Sequence, residues 1–245
     1  MTDLADFAFS FASSMDDRSH TYHIRKRVID LLGASLLLLV LLPVIAIIAL
    51  AIKIDSRGSA IFKQHRVGAR RVRSGETWEW RLQPFVFYKF RTMVQDAPPS
   101  LHKDYIAGYI NGDEAEMAAT SQGAKAADSY KLVHDPRVTG VGRILRKLSF
   151  DEIPQLWNVV KGEMSLVGPR PPIPYEVELY SEGHLRRLAA TPGITGLWQV
   201  SGRSEIGFED MVGLDIDYIR RRSIWLDVKI LALTIPAVIS RKGAG

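Results

Sequence analysis

The longest apolar stretch of the chain lies near its start. Residues 31–52 form a run of 22 residues without a charge. As a straight helix this run would be about 33 Å long, which is enough to cross a hydrocarbon core of about 30 Å. It is too long, and begins too late, for a secretory signal. The pattern therefore predicts a membrane helix over residues 22–56, after a flexible tail at residues 1–21.

Pro43 lies near the middle of this run, where it removes a helical hydrogen bond and favours a kink. The run has basic residues on both sides: Arg25, Lys26 and Arg27 before it, and Lys53, Arg57, Lys63 and Arg66 after it. A spanning helix usually has its positive charge on one side of the membrane. A helix bent at Pro43 would place both flanks on the same side. The residues alone leave a kinked spanning helix and a re-entrant helix both open.

The rest of the chain alternates between strand-like and helix-like patterns. Residues 60–64, 77–82 and 85–90 have the alternation of strands. Residues 95–130 are polar, rich in alanine and partly helical by prediction, and residues 175–188 predict a helix with charged and apolar faces. Residues 224–239 predict an interfacial helix with Trp225 at headgroup depth. The fold class is therefore α+β, with a re-entrant or kinked membrane helix followed over residues 57–245 by a mixed α/β domain that carries interfacial amphipathic helices.

Residues 149–172 combine another amphipathic pattern with a concentration of charge. Apolar residues recur there at helical spacing, namely Ile153, Leu156, Trp157 and Val160. Gly162 is expected to end this helix. Ser149 and Glu152 have capping-box spacing, but that register places Pro154 where a backbone donor is needed. We therefore prefer a helix that begins at Asp151 or Glu152, with Pro154 in its first turn.

Asp151 and Glu152, the dyad, stand at the start of this predicted helix, where the dipole favours ionised carboxylates. Such carboxylates can attack phosphorus, bind a divalent cation or only cap the helix. Residues 164–167 read as a short apolar strand, and the glycine and proline residues of 168–172 then form a stiff turn around Arg170. A guanidinium held in this way suits phosphate oxygens. Upstream cations add positive charge: Arg143, Arg146 and Lys147.

The charge and the cysteine content narrow the choice of partners. Lys and Arg number 32 against 27 Asp and Glu, and residues 22–91 alone hold 13 against 4. No nucleic-acid motif accompanies these charges, so membrane lipid and a phosphorylated substrate explain them better than nucleic acid. The sequence has no cysteine, which excludes disulfides and thiolate metal sites and fits a cytoplasm-facing domain. It also has no Ser-His-Asp set and no HExxH pattern.

Three long motifs together resemble a known family. They are KFRTM at 89–93, HDPRVTGVGRILRKLSFDEIPQLWNVVKGEMSLVGPRPP at 134–172 and TPGITGLWQVSGRS at 191–204. They closely resemble the bacterial sugar transferases, also called monotopic phosphoglycosyl transferases, from about residue 22 to the end of the chain. The resemblance implies transfer of a sugar 1-phosphate from a UDP-sugar to polyprenyl (undecaprenyl) phosphate, with release of UMP. This reaction initiates exopolysaccharide, capsule or glycoconjugate assembly.

The resemblance also implies a setting and a set of partners. The setting is the bacterial inner membrane, with the catalytic domain on its cytoplasmic face and the helix re-entrant at Pro43. Some small members have Ser before this proline, whereas Leu42 stands here. The partners are the UDP-sugar, polyprenyl phosphate and membrane lipid, the cofactor is Mg²⁺, and a homo-oligomer is left open.

Residue roles carried over from the family fall on matching positions. Asp151 would attack the β-phosphorus through a covalent aspartyl intermediate and bind the metal, and Glu152 would act as a base or help to position the metal. The cations expected to bind substrate phosphates are Lys89, Arg91, Arg146 and Arg170. Further implied positions are Asp227, which needs a partner at the membrane, the loop residues Gln199 and Arg203, and a helical pair formed by Lys26 and Asp30.

Two other classes of function remain at this point. The chain could be a membrane-anchored lipid-binding or scaffolding protein in which the dyad only caps a helix. It could also be a one-span glycosyltransferase that moves sugar without phosphate. The leaving nucleotide would distinguish the second class, because it releases UDP rather than UMP.

Overall fold

The computed structural model describes residues 20–95, 100–113, 117, 135, 137–202 and 206–239. A long first helix, α1 (His20–Asp55), precedes a domain in which helices and strands are mixed. This agrees with the predicted α+β class. The flexible tail was predicted over residues 1–21; residues 1–19 lie outside the described residues, and the last two residues of that range belong to α1.

The described part of the domain contains two strand pairs and several short helices. The strands are β1 (Ile61–Ser74), β2 (Thr77–Phe90), β3 (Ser165–Val167) and β4 (Gly193–Thr195). The helices are α2 (Ser100–Asn111), α3 (Gly140–Leu148), α4 (Gln155–Lys161), α5 (Pro174–Val177), α6 (Glu182–Leu185), α7 (Leu197–Ser201), α8 (Phe208–Arg221) and α9 (Ile224–Ile239). Among the described residues, 3-10 turns cover Phe150–Glu152 and Arg186–Leu188.

Helix α1 is 36 residues long and continues as a helix through Pro43. Among the described residues, it is the helix that is long and apolar enough to cross a membrane. The predicted range 22–56 therefore begins two residues too late and ends one residue too late. Pro43 does not interrupt the helix, and the re-entrant path stays a prediction.

One narrow stripe of α1 packs on the domain. Its residues lie at helical spacing: Ala34, Leu38, Leu41, Ile48 and Ile52. Before Pro43 the stripe packs in the main core with α4, and after Pro43 it packs in a second core with α3. Ile153, directly after the dyad, packs against both cores. The dyad is therefore carried over the middle of α1.

The outward side of α1 is apolar and largely exposed. Its exposed residues include Leu32, Leu36, Leu39, Leu42, Ile47 and Leu50. An exposed leucine surface of this length is unfavourable in water and favourable in hydrocarbon. The exposure thus agrees with a helix that contacts lipid along its outer side.

Strands β1 and β2 form one long antiparallel hairpin. The register runs from Ile61 opposite Phe90 to Ser74 opposite Thr77. Gly75, with a φ of +62°, begins the turn between them, where glycine adopts a positive φ without strain. The sequence predicted separate strands at 77–82 and 85–90, but these are one strand.

Pro84 accounts for this error. It lies opposite Val67 in the register, and the Val67 N–H points away from β2 and donates to the Pro172 carbonyl at 2.9 Å. The backbone donors of this pair therefore face outwards. Because of this, the missing N–H of Pro84 removes no hydrogen bond between the strands.

The predicted helix over residues 175–188 is also wrong, because the structure divides it into α5, α6 and a 3-10 turn. The division falls at Ser181, whose side chain accepts from the backbone N–H of His184 while the His184 ring pairs with the backbone N–H of Ser181. This reciprocal cap begins a new helix at Glu182.

Helix α9 has the bounds predicted for the interfacial helix. Several of its apolar residues are exposed, namely Trp225, Val228, Leu233 and Ile235. An exposed tryptophan beside exposed aliphatic groups suits the boundary between headgroups and hydrocarbon.

Candidate active site

The dyad stands in a short 3-10 turn between α3 and α4. Helix α3 ends at Ser149, whose φ of 57° lies in the left-handed region and redirects the chain. Asp151 and Glu152 follow in the turn, and α4 begins only at Gln155. The predicted helix start at the dyad is therefore wrong, since Pro154 precedes the first residue of α4.

The contacts do not support the dyad as a helix cap. The Ser149 side chain makes no capping hydrogen bond, so the capping box with Glu152 is not formed. The donor to Asp151 is the Lys89 side chain rather than a backbone N–H. Although Asp151 is only 8% exposed, its Oδ1 accepts no hydrogen bond from any described residue. A nearly buried carboxylate with an open oxygen is available for chemistry.

Lys89 joins the two carboxylates. Its Nζ lies 3.3 Å from Asp151 Oδ2 and 3.1 Å from Glu152 Oε1. It extends from the end of β2 and also lies 5.7 Å from the centre of the Phe87 ring. One ammonium group thus compensates two carboxylates.

Arg170 approaches Glu152 as a second cation, with Nη1 3.4 Å from Oε1. The turn that carries Arg170 is stabilised by Arg66. This buried side chain donates from Nη1 to the Pro171 carbonyl at 2.9 Å. The stiff turn predicted from the prolines therefore also has a side-chain support that the sequence analysis missed.

Arg146 is held beside the dyad by Thr92, whose Oγ1 accepts from Nε at 3.0 Å. Burial lowers the pKa of Arg146, whereas the negative charges of Asp151 and Asp135 raise it. The charge of Asp151 thus acts on this guanidinium, although no hydrogen bond or ion pair joins Arg146 to the dyad among the described residues. Of the four cations predicted to bind phosphate, Lys89 and Arg170 contact the dyad and Arg146 interacts with it through its charge.

The fourth cation, Arg91, has a different environment. Its guanidinium donates to the carbonyls of Ser56 and Arg57, just after the end of α1. These bonds attach β2 to the end of the membrane helix. A phosphate-binding role for Arg91 stays a prediction.

A second group of charges joins α1 to the domain, and we call it the anchor cluster: Lys26, Asp30, Tyr218 and Asp227. Lys26 Nζ lies 2.7 Å from Asp227 Oδ2 and 4.0 Å from Asp30 Oδ2. The Tyr218 hydroxyl donates to Asp227 Oδ1 at 2.8 Å, and Asp30 Oδ1 accepts from the Leu166 N–H at 3.0 Å.

Asp227 therefore has the partners that its apolar setting requires. Burial raises the pKa of Asp227, and the charge and hydrogen bond of Lys26 oppose this effect. Lys26 was predicted to pair with Asp30, but its shorter contact is to Asp227. Tyr218 was missed, because no local pattern links it to a residue nine positions later.

Gln199 lies in α7, where its Nε2 donates to the Ile194 carbonyl at 3.2 Å. Its Oε1 is buried and accepts no hydrogen bond within the described structure. None of these contacts joins Gln199 to the dyad. Arg203, the other loop residue singled out from the sequence, lies outside the described residues.

Asn158 is a further residue that the sequence analysis missed. It is 0% exposed, accepts from the Tyr88 N–H at 3.2 Å and donates to the Val86 carbonyl at 2.6 Å. Its carboxamide thus replaces the peptide group of a neighbouring strand at the free edge of β2, one residue before Lys89. The available signal was a polar residue among the apolar positions of α4.

The site suits a divalent cation that the substrate helps to bind. Mg²⁺ is usually held by one or two carboxylates together with substrate phosphates. Asp151 and Glu152 supply such a pair, and the described residues contain no group of three or more His, Cys, Asp or Glu that could hold a metal alone. These two carboxylates could therefore hold Mg²⁺ together with oxygen ligands from a phosphorylated substrate.

Comparison with known proteins shows the family to which the chain is similar. The family model described as "Bacterial sugar transferase" matches residues 21–241. The UDP-galactose-lipid carrier transferase of Erwinia amylovora is 40% identical over 92% of this chain. The undecaprenyl-phosphate galactose phosphotransferase of Salmonella typhimurium is 38% identical over 89% of this chain.

The relatives differ in length from this chain. The match covers 42% of the Erwinia protein and 41% of the Salmonella protein. By contrast, it covers 87% of the exopolysaccharide production protein ExoY of Rhizobium meliloti, which is 38% identical over 89% of this chain.

Proposed function

Since the chain belongs to the bacterial sugar transferase family, we propose that it transfers a sugar 1-phosphate from a UDP-sugar to polyprenyl phosphate and releases UMP. The names of the relatives support a UDP-sugar donor and an undecaprenyl phosphate acceptor. The observation that carries the proposal is the position of Asp151. Its Oδ1 accepts no hydrogen bond from the described residues, and it lies beside cations and over the middle of the apolar helix α1. The product would initiate exopolysaccharide or glycoconjugate assembly.

In the first half-reaction, an oxygen of Asp151 forms a bond to the β-phosphorus of the donor. The bond from this phosphorus to the bridging oxygen breaks, and that oxygen leaves with UMP. Lys89, Arg146 and Arg170 bind the phosphate oxygens and stabilise the charge that develops on them. The sugar phosphate remains attached to Asp151 as an acyl phosphate.

In the second half-reaction, a phosphate oxygen of the acceptor forms a bond to the same phosphorus. The bond to Asp151 breaks, and the carboxylate is restored. Glu152 accepts the proton when the acceptor arrives as a monoanion. Two substrates of very different polarity thereby use one site in turn.

Asp151 and Glu152 would hold Mg²⁺ together with the donor diphosphate, and the bound cation supplies neutralisation of the phosphate oxygens. We expect chelation of divalent cations by EDTA to lower UMP release by about two to three orders of magnitude. Addition of Mg²⁺ should restore it. Full activity in EDTA would remove the metal from the proposal.

The proposal places the domain on the cytoplasmic face of the inner membrane with α1 re-entrant. Both ends of α1 contact the same domain: Lys26 pairs with Asp227 near its start, and Asp55 accepts from the Val141 N–H at 3.3 Å at its end. A helix that crossed the bilayer would separate its ends by about 30 Å of hydrocarbon. These contacts therefore favour a helix that enters and leaves on one side.

The covalent step can be tested with a UDP-sugar labelled in its β-phosphate, incubated with the purified full chain and Mg²⁺ without acceptor. We expect the wild type to retain the label and Asp151→Asn to lose it. Equal labelling of the two proteins would refute the intermediate. Release of UMP rather than UDP excludes sugar transfer without phosphate, and release that depends on Asp151 excludes a scaffolding protein.

A further inference from the structure

Exposed apolar and basic residues lie on α3, on the 3-10 turn that follows it and on α4, so they stand on both sides of the dyad in the chain. We call this surface the outer face, and its members are Arg143, Ile144, Lys147, Phe150 and Trp157. Ile144 is 59% exposed, Trp157 52% and Phe150 39%. Large apolar side chains beside a catalytic residue are costly to expose in water unless a partner covers them.

The cations of the outer face have no partner among the described residues. Arg143 and Lys147 lie one helical turn apart on the exposed side of α3. Neither side chain forms a hydrogen bond or an ion pair with a described residue. By contrast, Lys89 and Arg170 contact the carboxylates of the dyad, and Arg146 donates to Thr92. The outer face thus holds positive charge that is available to a phosphate outside the dyad.

The opposite sides of the same two helices pack on α1. Leu145 of α3 contacts the portion of α1 after Pro43, and Leu156 and Val159 of α4 contact the portion before it. The outer face is therefore separated from α1 by one helix, which is about 10 Å across. If α1 lies in lipid, the outer face lies within this distance of the hydrocarbon, at the level of the headgroups.

We propose that the outer face is the docking surface for the acceptor lipid, with Ile144, Phe150 and Trp157 against its prenyl chain and Arg143 and Lys147 guiding its phosphate. This inference rests on the proposed function, because it identifies where the second substrate of that reaction binds. Phe150 directly precedes Asp151, so an acceptor whose phosphate reaches Asp151 brings the first units of its chain past Phe150. A nucleotide sugar has no apolar chain for this surface.

The test compares acceptors of different chain length in detergent micelles. The double variant Ile144→Gln/Trp157→Gln changes two exposed residues, so its unfolding temperature should match that of the wild type. UMP release is measured with undecaprenyl phosphate and with a prenyl phosphate of two isoprene units. The preference for the long acceptor is the ratio of the rates of UMP release with the long and the short acceptor. We expect this ratio to be about tenfold lower in the variant than in the wild type, because the long prenyl chain loses apolar contacts.

Donor-only labelling separates this inference from the proposed function. The variant should retain the label as well as the wild type, since the donor does not contact the outer face. The matched control is Leu179→Gln, at an exposed leucine just after α5, which should change neither labelling nor chain-length preference. A wild type that fails to take up label would overturn the proposed function and this inference with it.

A second variant tests the cations. Arg143→Gln/Lys147→Gln should raise the KM for the long and the short acceptor by the same factor, because both carry the same phosphate. Normal labelling with an unchanged chain-length preference in the first variant would overturn the proposal. The proposal would also be overturned if Ile144→Gln/Trp157→Gln only weakened binding to anionic phospholipid vesicles. The outer face would then bind the bulk membrane rather than the acceptor.

Discussion

The dyad and the anchor cluster are built from similar groups but differ in how completely they are bonded. In each, one lysine lies between two carboxylates: Lys89 between Asp151 and Glu152, and Lys26 between Asp227 and Asp30. In the anchor cluster a tyrosine hydroxyl and a backbone N–H occupy further carboxylate oxygens. At the dyad, Asp151 keeps an oxygen that accepts no hydrogen bond from the described residues.

Under the proposed function, this difference separates a structural charge pair from a reactive one. A carboxylate whose two oxygens both accept hydrogen bonds stabilises the contact that it makes and has fewer lone pairs for a new bond. A nearly buried carboxylate with one open oxygen, held next to cations, can accept a new bond at low reorganisation cost. The number of lysines and carboxylates does not distinguish the two sites, whereas their hydrogen bonding does.

Replacement of aspartate by asparagine should have the largest effect at the dyad, on turnover, and a different effect at the anchor cluster, on stability. Asp151→Asn is expected to lower turnover by about 10³-fold or more, because the amide is a poor nucleophile, with little change in unfolding temperature. Asp227→Asn should mainly lower the unfolding temperature and leave turnover within about tenfold of the wild type. UMP release and thermal unfolding in detergent measure both. Similar effects of the two substitutions on activity would remove the distinction.

Removal of the lysine from the anchor cluster should have the next largest effect. Lys26→Met leaves two carboxylates without their cation, so we expect a loss of about 3 kcal/mol in the free energy of unfolding. The pKa of Asp227, already raised by burial, should rise further. A carboxyl with a raised pKa favours the native state at low pH and loses this contribution as pH rises through that pKa.

The loss caused by Lys26→Met should therefore be smaller at pH values near 4 than at pH 7. Denaturant unfolding at a series of pH values measures this dependence. The control is Lys26→Met/Asp227→Leu, which removes a carboxylate as well and should recover some of the stability. An equal loss at every pH would contradict an electrostatic role for Lys26.

A smaller effect on stability and turnover is expected at Asn158, which bonds the part of β2 that carries Lys89. Asn158→Ala leaves the Val86 carbonyl and the Tyr88 N–H without their partner, so the free energy of unfolding should fall by about 2 kcal/mol. Because Lys89 follows directly in β2, turnover should fall as well, while the KM for the donor changes less than kcat. Unchanged turnover with the same loss of stability would limit Asn158 to a structural role.

The smallest expected effect concerns Arg91. Arg91→Met removes the donors to the Ser56 and Arg57 carbonyls, which should cost about 1 kcal/mol. If its guanidinium serves only these carbonyls, the KM for the UDP-sugar should change less than about twofold. A rise of about tenfold in that KM would instead assign Arg91 to the phosphates.

Local patterns predicted the elements whose boundaries are set by neighbouring residues. The predicted membrane helix over residues 22–56 matches α1 to within two residues, the largely apolar stretch 224–239 has the observed bounds of α9, and Gly162, with a φ of +81°, ends α4 as expected. Local signals misled where tertiary context decided the outcome. Pro84 was tolerated because its side of the hairpin faces outwards, and Ser181 divided a predicted helix by capping a new one.

In the candidate site too, local sequence patterns predicted some features, and tertiary contacts decided the others. The charged residues around the dyad were identified because each stands in a distinctive motif. Their contacts were not, because Lys89 and Asp151 are 62 residues apart and hydrophobic periodicity carries no information on such pairs. The supporting residues Asn158 and Tyr218 were missed for the same reason, since only the folded chain shows which backbone groups and carboxylates need them.

The position of the dyad over the middle of α1 has a consequence for how the proposed enzyme would meet its acceptor. A lipid confined to a leaflet finds such a site by lateral diffusion in two dimensions. The rate would then depend on the number of acceptor molecules per unit of membrane area, and dilution of the whole suspension would leave it unchanged.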